Sequence, residues 1–151
     1  MKLAEALITR ADLLKKIGQI RKRMTQSAMV QEGETPAEEV EVLLVTYDEL
    51  MSELCELIKK VNHTNGMTSF GSGSIADAIA ERDNLRSRIS AHRDLYEAAT
   101  VQQNRYSRSE IKYVRCVDAA ELQKGIDLLS KQYRELDTRI QEANWNTDLQ
   151  D

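Results

Sequence analysis

The sequence predicts an all-α fold, an elongated antiparallel four-helix bundle with coiled-coil-like heptad packing. Composition is the first of three observations behind that expectation. Hydrophobic types make up 41% of the 151 residues and charged types 30%, but aromatics only 5%, with a single Pro. A β-sandwich or barrel needs more aromatic and turn-forming material than this. The second observation is a set of apolar stripes that alternate steps of three and four, the a/d spacing of a heptad. The third is that four such stripes have similar lengths and are joined by connections of about seven to a dozen residues, which suits antiparallel neighbours.

A chain of this size can close one hydrophobic core without staples, so residues 1–151 are read as a single helical domain. The helices are expected at about 2–28, 36–63, 74–100 and 115–146. At ~1.5 Å rise per residue they measure roughly 40–48 Å. A long coiled-coil dimer is the competing topology, because an a/d stripe does not distinguish a partner in the same chain from one in a second copy.

In the first helix, Leu3, Ala6, Arg10, Leu13, Ile17, Ile20 and Met24 form the stripe, widened on one flank by Leu7, Ala11 and Leu14. MVQEGET follows without a period and reads as a loop. The second helix has a start signal in Thr35, Pro36 and Glu38, an N-cap, a first-turn proline and a capping-box acid. Val40, Leu43, Tyr47, Leu50, Leu54, Leu57 and Val61 then run unbroken, with Leu44, Met51 and Ile58 beside them at sevenfold spacing. So wide an apolar arc should be the most buried in the fold, or should serve both the bundle and a second subunit.

Gly66 is the expected left-handed stop of that helix. The segment MTSFGSGS, with the only phenylalanine, Phe70, reads as flexible, and Ser74 with Asp77 caps the third helix. That helix has the weakest stripe, Ile75, Ala78, Arg82, Leu85, Ile89, His92, Tyr96 and Ala99, whose polar members need partners if buried. The fourth has the cleanest: Ala119, Leu122, Ile126, Leu129, Tyr133, Leu136, Ile140 and Ala143, closed by Trp145.

Charge is uneven. The net value is −4, which excludes a whole-surface glove for nucleic acid. Residues 2–23 carry seven Lys/Arg against two acids, and residues 32–60 carry nine acids against two Lys. Opposed charge on successive helices favours laying them side by side, although each solvated pair stabilises by well under ~1 kcal/mol. Glu5 and Arg10 interrupt the apolar core a secretion signal would need, and no run approaches the ~18 apolar residues of a membrane span. Cys55 and Cys116 do not make a disulfide framework and read as buried free thiols beside core stripes. A cytoplasmic protein with no stable membrane insertion is the expectation.

The chemistry of catalysis is missing from the pattern. There is no P-loop, dinucleotide fingerprint, CxxC, HExxH or paired Glu-x-x-His. His63 falls at a helix end and His92 in a basic helix, so neither reads as a metal ligand. No cofactor and no enzymatic activity are expected.

One stretch breaks the helical pattern. Arg105–Arg115, RYSRSEIKYVR, carries a net +3 and contains Ile111, Tyr113 and Val114, which favour extended structure. As a strand near 105–114 it would place Tyr106, Arg108, Glu110 and Lys112 on one side. It reads as a connector whose arginines pair with acids of helices two and four. The alternative is an anion or nucleic-acid site using Arg105, Tyr106, Arg108, Glu110 and Lys112.

MKLAEALITRADL at the start, ADAIAERD at 76–83, RYSRSEIK at 105–112 and the ending AELQKGIDLLSKQYRELDTRIQEANW resemble the septicolysin-like family of small bacterial helical proteins. The resemblance spans essentially the whole chain. It implies a soluble all-helical protein with no catalytic residues to carry over, and its name implies a pore-forming cytolysin. The residues themselves favour a non-enzymatic interaction protein, self-associating through the arcs of helix two or four, with Tyr47, Met51, Phe70 and Trp145 as candidate interface anchors.

Overall fold

A computed structural model, which describes residues 1–101 and 112–150, shows the all-α fold that the stripes predict. Four long helices are present: α1 (Leu3–Ser27), α2 (Val40–Met67), α3 (Ile75–Thr100) and α4 (Ala119–Asn146). The described strands are β1 (Ser69–Phe70) and β2 (Gly73–Ser74), which pair antiparallel with Ser69 opposite Ser74 and Phe70 opposite Gly73. The chain divides into two compact units, residues 1–76 with 141–151, and residues 77–140.

In the first unit α1 and α2 pack antiparallel through their a/d stripes. Leu13, Ile17 and Leu54 form a buried cluster, with Tyr47, Leu50, Leu57 and Ile58 packed against it. Leu3 and Ala6 at the start of α1, and Val61 and Thr64 late in α2, are buried at the same end of the pair. Backbone from both chain termini closes that end. The Leu3 amide donates to the Thr147 carbonyl and the Leu149 amide to that of Met1, both at 2.9 Å, while Lys2 and Asp148 form an isolated antiparallel bridge. The Gln150 amide reaches the Thr64 hydroxyl at 3.0 Å.

In the second unit α3 and α4 run antiparallel, registered by two arginines. Arg82 donates to Asp137 at 3.1 Å and Arg86 to the Tyr133 hydroxyl at 2.9 Å. Ala78, Ile89, Ile126, Leu129 and Ile140 are buried here. Arg82 thus finds the partner that its stripe position demands. His92 faces Gly125, and its buried Nδ1 has no hydrogen-bond partner among the described residues.

Four local expectations are corrected. The Thr35–Pro36 start is not used, and α2 begins at Val40 behind Glu39. The reason lies in Glu38, whose carboxylate is taken by the Arg23 guanidinium in a two-pronged contact and cannot turn back to close a capping box. Second, Gly66 does not stop α2, which continues to Met67. A helical Gly costs about 1 kcal/mol, and the buried Thr64, bonded to both the Lys60 carbonyl and the Gln150 amide, holds this last turn in place. The left-handed glycines among the described residues are instead Gly33 (φ 88°) and Gly71 (φ 58°), the second in the β1–β2 turn.

Third, α4 starts at Ala119 rather than near 115, because the Asp118 carboxylate accepts the Ala120 and Glu121 amides at 3.0 and 3.1 Å and so caps the helix. Fourth, both cysteines are exposed. Cys55 lies off the a/d stripe, and Cys116 sits in the turn before α4 rather than in a helix. Of the extended segment expected near 105–114, only 112–114 lies within the described residues, and Lys112–Arg115 is neither helix nor strand.

Two predictions follow from this packing. Leu54→Ala removes the centre of the α1–α2 cluster and should cost about 2–4 kcal/mol in denaturant unfolding. Asp148 is held below the usual carboxylate range, first by its contact with the Lys2 ammonium and then by that charge. A carboxylate depressed in the folded state stabilises above its unfolded pKa, near 4, and that contribution is lost as pH falls through the folded value. Asp148→Asn should therefore lower the melting temperature at pH 7, by a difference that shrinks as the pH falls into the acid range.

Candidate interaction face

Heptad geometry decides which residues the α1–α2 pair leaves uncovered. In an antiparallel pair, the positions just after d on the two helices lie on the same side of the seam. On α1 those positions are Leu7, Leu14 and Arg21, and on α2 they are Leu44, Met51 and Ile58. Leu7 and Ile58 are half-buried, but Leu14 is 52% exposed, Leu44 48% and Met51 39%. The next column outward brings Ala11 and Gly18 of α1, and Glu41, Asp48 and Cys55 of α2, all exposed. A Cβ built on Gly18 meets nothing within 4 Å, so this part of α1 is open and can be approached closely. The result is an apolar band, ended on α1 by Arg21, with one basic edge, Lys15 and Lys22, and one acidic edge, Glu41 and Asp48.

Of the proposed anchors, Met51 lies on this band. Tyr47 is half-buried in the α1–α2 cluster, on the seam rather than beside it. Phe70 is half-buried in β1, and Trp145 is 54% exposed near the end of α4. Leu7 and Leu14 lie in the matching column of α1. Their signal was available in the sequence, since they repeat at seven residues in the same heptad position as Leu44 and Met51.

The expected charged segment is only partly within view. Arg105, Tyr106, Arg108 and Glu110 lie outside the described residues. Lys112 is exposed in irregular chain, followed by Tyr113 and Val114 at 85% and 82% exposure. Among the described residues Lys112 and Arg115 make no ion pair, so the expected locking onto acids of α2 and α4 is not made at these two positions. No group of three or more His, Cys, Asp or Glu among the described residues could hold a metal ion. No helix among them is long and apolar enough to cross a membrane.

Elsewhere some of the charges are taken up in side-chain pairs. Lys59 holds the Glu56 carboxyl below its usual range through a side-chain contact at 2.6 Å, and Arg23 does the same to Glu38. The Arg86 guanidinium is raised above its ordinary value by the Tyr133 hydroxyl and lies 5.6 Å from that ring's centre. These contacts are solvent-exposed and fix surface geometry more than stability.

A family of unknown function, DUF6847, matches residues 10–149. A crystal structure of a functionally unknown conserved protein from Corynebacterium diphtheriae is similar throughout, with 40% identity, 99% of each chain covered and a TM-score of 0.92. No curated protein matches. Neither similarity carries the septicolysin name.

Exposure of both thiols makes a direct prediction. Ellman's reagent should titrate Cys55 and Cys116 rapidly in native protein, and Cys55, in the column that edges the apolar band, should slow as protein concentration rises while Cys116 does not.

Proposed function

We propose that this chain, which belongs to the DUF6847 family of unknown function, is a non-enzymatic cytoplasmic interaction protein that self-associates through the α1–α2 face. One observation carries the reading. Two neighbouring helices present aligned, exposed apolar side chains, Leu14, Leu44 and Met51, on one side of their seam. Water contact with a band of this kind is unfavourable by roughly 25 cal/mol per Å² of apolar surface, and covering it releases that free energy.

The charge pattern supports a second copy as the cover. A two-fold axis through the band lays α1 of one copy across α2 of the other. The basic edge at Lys15 and Lys22 then meets the acidic edge at Glu41 and Asp48, twice per dimer, as a self-complementary interface requires. The small residues Ala11 and Gly18 let the helices approach. Four helices then share one core in place of two.

A second reading rests on Lys112–Arg115. Their exposure and lack of ion pairs among the described residues favour an anionic partner at the Arg105–Arg115 segment, in line with its net +3. The cytolysin implied by the septicolysin resemblance has no comparable observation behind it.

Light scattering over a concentration series is the test. The wild-type chain should have at least twice the 17.2 kDa mass of one copy at high micromolar concentration. Leu14→Glu with Met51→Glu should shift it to one copy while circular dichroism keeps its helical signal. A strict monomer throughout the series, or a double variant that still associates, overturns the proposal.

A further inference from the structure

The second unit contains a feature that self-association does not use. Between α3 and α4 lies a cleft of ≈ 580 Å³, within the size range of small-molecule sites, and a second of ≈ 470 Å³. Four side chains line both, so the two openings share one wall: Arg93 and Glu97 from α3, Ser130 and Arg134 from α4. These residues are far apart in sequence and meet because Arg82–Asp137 and Arg86–Tyr133 fix the register of the pair.

The cations of this unit divide into two kinds. Arg82 is bound by Asp83 and Asp137, and Arg86 by Tyr133 and Asp83. Arg93 and Arg134 make no ion pair among the described residues, although Asp94, Glu97 and Asp127 also line the clefts. Two guanidiniums from facing helices, with the Ser130 hydroxyl on the same wall, supply several donors to one tetrahedral anion. The acids beside them can accept hydrogen bonds from hydroxyl groups but repel a ligand that is anionic throughout. The half-buried rings of Tyr96 and Tyr133 add flat apolar surface on either side.

We propose that this shared wall binds a phosphate monoester of a hydroxylated small molecule, such as a nucleoside or sugar phosphate. Arg93, Arg134 and Ser130 hold the phosphate, and Glu97 accepts from a hydroxyl of the organic part. The site is independent of the α1–α2 face and stands or falls separately from self-association.

The test is an NMR titration of the ¹⁵N-labelled full chain with adenosine 5′-monophosphate, ribose 5-phosphate, inorganic phosphate and sulfate in turn. Saturable shifts are expected at Arg93, Ser130 and Arg134 with the two esters. Arg93→Ala with Arg134→Ala should weaken ester binding by at least about tenfold, the loss of one charge-assisted contact or more. Arg88→Ala, on the same helix but away from the clefts, should leave it unchanged. Glu97→Ala removes both the acceptor and the negative charge, so it should tighten inorganic phosphate and lower the preference for the esters over it. These side chains are exposed, and unchanged dichroism confirms that each variant folds. The proposal is overturned by shifts that do not saturate by millimolar ester, by binding that survives the double arginine variant, or by equal affinity for sulfate and inorganic phosphate, which marks an adventitious anion.

Discussion

A two-helix hairpin has one seam, and the seam covers one stripe per helix. That constraint organises the first unit of this protein. Leu13, Ile17 and Leu54 take the seam with Tyr47, Leu50 and Leu57 around them. Of the positions just beyond d, Leu14, Leu44 and Met51 are then left at the surface. The seam explains the buried residues and the apolar band explains the proposed behaviour, and both come from the same heptad repeat. Burial of the first stripe costs no partner. Burial of the second does.

The seam is held at its ends by different means. At the α1–α2 loop the contact is ionic, Arg23 on Glu38, exposed and therefore weak. At the other end it is built from fully buried side chains, Leu3, Ala6, Val61 and Thr64, and closed by backbone hydrogen bonds from both termini. Thr64 joins the two kinds of interaction, since its hydroxyl donates within α2 and accepts from Gln150. The strong end is thus the one where residues 1–3 meet residues 147–150.

Much of this was legible in the residues, and what was not has physical causes. The a/d positions of all four helices could be read because heptad spacing is a property of the chain alone. Of the stripe read for α1, Leu3, Ala6, Leu13, Ile17 and Ile20 are buried. Helix ends were harder, because tertiary contacts compete with local signals. Glu38 looks like a capping acid until Arg23, fifteen residues away, claims it. Gly66 looks like a stop until Thr64 is anchored from residue 150. The Asp118 cap is itself written in the chain, since an Asp three residues before Glu121 is a capping signature. The exposed thiols show the same limit: a position beside a stripe is buried only when something covers that side. The clefts of α3 and α4 were not legible at all, because Arg93 and Arg134 become neighbours only through a register set by Arg82 and Arg86.

The central claim is that the uncovered stripe of one chain is covered by a second copy of the same chain, α1 across α2. Electron–electron spin resonance distances test this most directly. A spin label placed at Ser52→Cys, on the outer side of α2, in a chain with Cys55→Ser and Cys116→Ser, reports only distances between copies. The account predicts a single defined intermolecular distance that vanishes with Leu14→Glu and Met51→Glu. A featureless background decay at high micromolar concentration, the signature of separated chains, would contradict it.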